Sequence, residues 1–235
     1  MRRLLAAWRE RLARASIPAH GESAAVLSWA SRDAAVVKVL RNSGFTPTAV
    51  LAARVGAARP GPETTMVTVR AIAPSDVETV TSLHETLIRW DDNFGGAHWR
   101  ASTPARMHDY VTELITGPRP RAWVAEVDGH VVGSCDVEWP ETAGWATGGI
   151  AADPATVAYI GTMSVAPGIR GTGIGSALIA HVHRELSASG ISLPVLHYAP
   201  LNPLSAPFWH RAGYRPVTTT WTAQPHTVLR DGRAG

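Results

Sequence analysis

Sulfur and lysine are almost absent from this chain. Its single cysteine, Cys135, excludes an intramolecular disulfide and cannot by itself build a thiolate metal site; on a strand-like stretch it reads as core filler. Lys38 is the only lysine, so the Gly-Lys-Ser/Thr ending of a Walker nucleotide loop is excluded. No apolar run approaches the roughly 18 residues of a membrane span. The apolar start at Leu4 is interrupted by Arg9, Glu10 and Arg11, which argues against a signal peptide and for a cytoplasmic protein. Basic clusters are also missing. The formal charge of +3 comes from scattered arginines, so neither a nucleic-acid nor a membrane partner is expected. None of the 10 histidines forms a helical His-x-x-x-His pair with a carboxylate, and His181 and His183 suit a helix face better than a metal.

What is present is a globular chain, 45% hydrophobic over 235 residues, long enough for one large domain or one domain plus a fragment. Residues 67–72 alternate as a strand, and Ala73-Pro74-Ser75-Asp76 supplies a turn and a helix cap. A helix is predicted from Asp76 to about Arg89, then a loop over 90–99, then a second helix from Thr103 to about Thr116. Two alternating runs, 122–127 and 130–139, flank Asp128-Gly129, the strongest short hairpin signal. A loop rich in glycine and alanine leads to a strand ending at Val165. A helix to about Ser187, a strand at 194–198, a helix at 204–211 and a strand at 214–222 complete the series. These periods predict an α/β (α+β) fold, a mixed sheet with helices on both faces.

The richest stretch is Tyr159 to Ser176. The strand ends at Val165, a turn through Pro167 follows, and Arg170-Gly171-Thr172-Gly173-Ile174-Gly175-Ser176 opens a helix. A helix N-terminus offers unpaired N–H groups and the positive end of the macrodipole, which attract an anion. Glycines 171, 173 and 175 let a pyrophosphate approach the backbone, and Arg170 adds a fixed charge. The Rossmann spacing Gly-x-Gly-x-x-Gly fails, because Ser176 stands where the third glycine belongs and no acidic residue follows at the required distance.

The Arg-x-x-Gly-x-Gly loop after a strand resembles the acyl-CoA loop of the GCN5-related N-acetyltransferases (GNAT). The segment from Asn202 to Tyr214, with Phe208-Trp209 and Gly213-Tyr214, is similar to that family's second motif. The resemblance spans about residues 66–225 and implies a mixed, mostly antiparallel sheet with helices on both faces. It also implies acetyl-CoA as cosubstrate, no metal, and transfer to an amine of a small molecule or peptide. By resemblance, the backbone of Met163, Ser164 and Val165 faces the pantetheine arm, Arg170 through Ser176 hold the pyrophosphate, and Asn202 hydrogen-bonds the pantetheine. Trp209 occupies the position of the family's proton-donating tyrosine and, with no ionisable proton, is expected to pack against the cofactor arm. Tyr198 is an alternative acid.

The family's glutamate is replaced by Tyr159. Glu138 and Asp136 on the neighbouring strand, and His197 where the strands should part, are the candidate bases or water-relay anchors, Glu138 first. Trp90, Asp91 and Asp92 are candidate acceptor contacts, offering carboxylates beside an aromatic face; helix capping is the alternative. The missing acid and base leave a rival reading, an idle acyl-CoA sensor or pairing module.

The first 60 residues carry a further pattern. A shift of 169 positions lays 20–53 over 189–222 without a gap, matching Gly21/Gly190, Val26/Val195, Leu27/Leu196, Ala30/Ala199, Gly44/Gly213 and Pro47/Pro216. Residues 1–59 are therefore expected to form a partial GNAT-like half domain (helix, strand, helix, strand), 60–65 a linker, and 66–235 the complete domain. A half domain leaves a sheet edge that needs cover, from the complete domain or from a second copy in a homodimer.

Overall fold

Eight strands join one sheet in the computed structural model, which describes residues 1–15, 23–56, 66–147 and 150–225. The proposed linker at 60–65 and the first positions of the repeat, His20 and Gly21, lie outside the described residues. The strands are β1 (Ala25–Ala30), β2 (Thr46–Ala53), β3 (Thr68–Ala71), β4 (Ala122–Val127), β5 (His130–Glu138), β6 (Val157–Val165), β7 (Leu193–Tyr198) and β8 (Arg215–Ala223). Their order is β1-β8-β2-β7-β6-β5-β4-β3. Only β6 and β7 run parallel. The helices are α1 (Arg2–Arg14), α2 (Ala34–Asn42), α3 (Val77–Asp92), α4 (Thr103–Leu114), α5 (Ile174–Ala188) and α6 (Ser205–Arg211).

Local chemistry explains the elements. Asp128 (φ 51°) and Gly129 (φ 77°) give the two left-handed residues that a tight hairpin between β4 and β5 requires. On α5, Ile174, Leu178, Val182 and Leu186 recur every fourth residue and are buried against Trp123, Ala125, Cys135, Val137, Ala158 and Ile160 of the sheet. Truncating Leu178 to alanine there removes about 2–5 kcal/mol. The opposite face is covered by α3 and α4 through Val80 and Val111 over Val124. Arg70 of β3 fixes the entry of α3 by binding both Asp76 and Glu126. That guanidinium, with the Ala73 N–H, holds the Asp76 carboxyl below the usual carboxylate range.

The sequence expectations differ from the structure mainly at one place. Trp90, Asp91 and Asp92 form the last turn of α3 rather than a loop, because the helical pattern continues until Asn93 caps it with side-chain bonds to the Arg89 and Trp90 carbonyls.

The strand order β1-β8-β2-β7 is unchanged when β1 is exchanged with β7 and β8 with β2. The registers obey the same exchange under the 169-residue shift. Val26↔Thr222 in β1·β8 becomes Val195↔Ala53, a pair of the β2·β7 ladder. Within β2·β8, Thr46↔Thr222 becomes Arg215↔Ala53, and Val50↔Thr219 maps onto itself. Even the irregularities correspond, one skipping Thr48 and the other Val217. The helix termini agree too. Asp33 accepts the Val36 N–H as Asn202 accepts the Ser205 N–H, and Phe45 N–H to Leu40 O matches Tyr214 N–H to Trp209 O. Gly44 (φ 89°) and Gly213 (φ 97°) supply the left-handed residue at both helix ends.

Candidate active site

β6 and β7 pair from Val157↔Leu193 to Ile160↔Leu196. Beyond that point they part, β6 continuing beside β5 and β7 beside β2. The parting leaves a slot between two parallel strands, with the N-terminus of α5 following at the end of β6. Gly171 (φ 84°) and Gly173 (φ 94°) are left-handed. A Cβ at either would meet nothing within 4 Å, so the loop lines open space. The backbone N–H groups of Gly171, Thr172 and Gly173 find no partner among the described residues. Arg170 is anchored by Nε–H to the Val165 carbonyl at 3.0 Å. Unpartnered donors, a fixed cation and a cradle without Cβ atoms together suit a pyrophosphate. Ile174 is buried in the core, leaving Gly175 and Ser176 in the first turn. Ser164 turns its hydroxyl away, donating to the Leu83 carbonyl at 3.0 Å, and Met163 packs near Gly175 and Phe208.

Trp90 and Asp91 stand beside the donor loop rather than beside Glu138. Asn202, almost fully buried, donates from Nδ2 to Asp91 at 2.7 Å. Its Oδ1 accepts from Trp90 Nε1 at 3.3 Å and from the Leu204 and Ser205 N–H groups that open α6. The Trp90 ring also lies 5.9 Å from the Arg170 guanidinium carbon. Burial pushes the Asp91 carboxyl up. Asp92 faces outward toward His98.

Glu138, Tyr159 and His197 meet on the sheet face opposite α5, where β6 and β7 part. Tyr159 lies directly opposite Glu138, and its hydroxyl is 3.3 Å from His197 Nδ1. Burial lowers the His197 pKa, which keeps the ring neutral near pH 7. Trp145, from the loop after β5, completes the group. Its ring centroid is 4.6 Å from that of Tyr159, it lies parallel to His197, and its Nε1–H donates to Glu138 at 2.8 Å. Tyr198 points to the other face, where its hydroxyl is 3.0 Å from His210 Nε2. Trp209 is buried edge-on between Phe208 and Tyr214, a core position.

Asp136, a candidate base on β5, sits in a setting that the sequence alone does not show. β6 carries an irregularity opposite it, and the carboxylate enters there, accepting from the Thr162 N–H at 2.9 Å and the Tyr110 hydroxyl at 2.8 Å. Full burial is the main reason its pKa is pushed up to about 7. Gly161 makes room, since a Cβ there would overlap the carboxylate. A glycine inside a strand pattern, here Gly161, is the sequence signal that could have marked the site. Trp145, Tyr110 and His210 were not singled out, because their roles depend on contacts between distant elements.

Residues 85–214 match the model of the acetyltransferase (GNAT) family. Solved structures agree in fold. A GCN5-related N-acetyltransferase from Sphaerobacter thermophilus is 16% identical with a TM-score of 0.60, over 93% of this chain and 64% of that one. This chain therefore spans less than two thirds of that protein's length. A functionally unknown protein from Staphylococcus epidermidis is 15% identical with a TM-score of 0.58, over 92% of this chain and 76% of that one. The aminoglycoside N-acetyltransferase AAC(6')-Iy, solved with CoA, is 18% identical with a TM-score of 0.52, over 67% of this chain and 93% of its own. No curated protein matches the sequence. The chain belongs to the GNAT acetyltransferase family.

Proposed function

We propose that this acyltransferase uses acetyl-CoA to acetylate a primary amine of a small molecule or peptide by direct attack. The observation that carries the reading is the parting of β6 and β7 beside a loop whose N–H groups have no partners. Acetyl-CoA supplies the thioester; the amine forms the new N–C bond, the C–S bond breaks, and the thiolate takes a proton. Arg170 through Ser176 hold the pyrophosphate, and the backbone of Met163, Ser164 and Val165 lines the slot. Asn202 fixes the opening of α6, and Trp90 and Asp91 wall the donor side. Neutral His197, oriented by Tyr159, accepts the amine proton on one face of the sheet. On the other face Tyr198, paired with His210, protonates the leaving thiolate.

Residues 1–59 act as a half domain whose β2 completes the sheet of the larger unit at 66–235. The whole is a cytoplasmic enzyme that works without a metal; among the described residues no helix is long and apolar enough to cross a membrane.

CoA-thiol release from acetyl-CoA, measured over a panel of amines with a no-amine control, tests the activity. Binding is tested separately: acetyl-CoA should raise the melting temperature of the wild type and not of Gly173→Phe, whose side chain would fill the cradle. Equal stabilisation of both would show the loop to be misassigned.

A further inference from the structure

Glu138 sits in an unusual setting for a carboxylate. Among the described residues no Lys, Arg or His nitrogen lies in ion-pair range of it, and its recorded partner is the Trp145 indole N–H at 2.8 Å. Trp145 is itself 57% exposed, so its indole lies over the carboxylate at the surface. Beside this pair stands the ring of Tyr159, 4.6 Å from Trp145; His197, 3.3 Å from the Tyr159 hydroxyl, serves the reacting amine instead. A carboxylate without a cation beside electron-rich ring faces is a receptor for a positive charge, through Coulomb attraction and cation–π contact. A negative group would be repelled by Glu138.

That charge is not the reacting nitrogen. The attacking amine must be neutral and must sit where the strands have parted, beside Gly161 to Met163. Glu138 lies opposite Tyr159, two to four residues back along β6. At roughly 3.3 Å per residue, the two positions are about 7–13 Å apart. From this spacing we infer that the acceptor is a diamine-type molecule, carrying a second group that is protonated at neutral pH and lies roughly 7 Å or more from the nitrogen that is acetylated. This rests on the acetyltransferase reading above and specifies its substrate class. The second ammonium displaces the Trp145 N–H from Glu138 and lies against the Trp145 and Tyr159 faces.

Calorimetry on the full chain with CoA present tests this without turnover. The probes are cadaverine, pentylamine and aminopentanol, which share one amine and differ at the far end. The wild type is expected to bind cadaverine at least tenfold more tightly than either of the others. Glu138→Gln should reduce that preference to within about threefold, and Trp145→Ala should weaken cadaverine by a smaller factor. Circular dichroism confirms that each variant is folded. A wild type that binds the three alike, or a Glu138→Gln variant that keeps the preference, overturns the inference. Thiol release distinguishes it from the wider reading. Preferential cadaverine binding with no acetylation of any amine refutes the transferase proposal and leaves the cation site standing; turnover of all three amines at equal kcat/KM does the reverse.

Discussion

Replacing Gly161 by alanine tests the packing of Asp136 against the bulged strand. The new Cβ would overlap Asp136 Oδ1 and lie 3.0 Å from its Cγ. The carboxylate, itself fully buried, has nowhere to go without releasing the Thr162 N–H or the Tyr110 hydroxyl. Leaving either group unpaired costs about 1–3 kcal/mol, and overpacking adds about 1–3 kcal/mol. The sum is about 2–6 kcal/mol, and a loss of about 3 kcal/mol, toward the lower end because the strand relaxes in part, is expected as a fall in the urea midpoint at constant m-value. The control is a double-mutant cycle. Asp136→Ala removes the obstructing group, so Gly161→Ala in that background should cost about 1 kcal/mol or less. The coupling is then about 2 kcal/mol. A Gly161→Ala loss below about 0.5 kcal/mol, or strictly additive losses, would refute the claim that the carboxylate and the glycine share one space.

Three further outcomes follow from the same geometry. The folded-state pKa of Asp136 lies near 7, above its ordinary value, so the folded chain holds this proton more tightly than the unfolded one. The stabilisation is complete below about pH 4 and is lost as pH rises through 7; wild type should therefore lose stability over that window relative to Asp136→Asn, by up to about 4 kcal/mol, and parallel curves would contradict this. Tyr198→Phe should lower kcat about tenfold to a hundredfold with little change in acetyl-CoA affinity, whereas Trp209→Phe should mainly lower the melting temperature; reversed effects would exchange their roles. Deleting residues 1–62 removes both neighbours of β8, so the truncated protein should aggregate or unfold in size-exclusion and dichroism measurements, and a soluble product melting like the full chain would show the segment to be dispensable.

The strand, glycine loop and helix around Arg170 were readable because their pattern is local. Arg170, Gly171 and Gly173 lie within four consecutive residues, and the strand that precedes them and the helix that follows are set by nearest-neighbour periodicity. The mixed sheet was readable for a similar reason, since the Asp128-Gly129 turn and the alternating runs fix β4 and β5 without reference to the rest of the chain. The cluster on the opposite sheet face was not. Glu138, Trp145, Tyr159 and His197 span four separate segments, and only the assembled sheet brings them together. Trp90 and Asp91 show the converse: their chemistry was legible but not their address, because the direction in which the end of α3 points is set by its packing over β5 and β6. Asp136 was weighed as a base, yet its place in the β6 irregularity could be seen only once the β5·β6 register was known.

The N-terminal segment ties these parts together. β2 lies between β7 and β8, and Leu51 is paired with His197. On the same face Leu51 and Ala53 are buried with Ala146, Val157 and Val195, and Ile150 and Tyr159 pack against them. Ala146 is the immediate neighbour of Trp145. The loop that presents Trp145 to Glu138 is therefore seated on a strand contributed by the first 53 residues, while the Arg170 loop joins β6 to α5 and lies beside Trp90. A change in β2 that alters the volume at Leu51 acts first on the position of Trp145 and the ring of His197, and reaches the Arg170 loop only through the sheet. Under the proposed function the consequence is a division of labour: the local Arg-Gly loop would hold the acetyl donor, and the inserted strand would help to shape the surface that receives the amine.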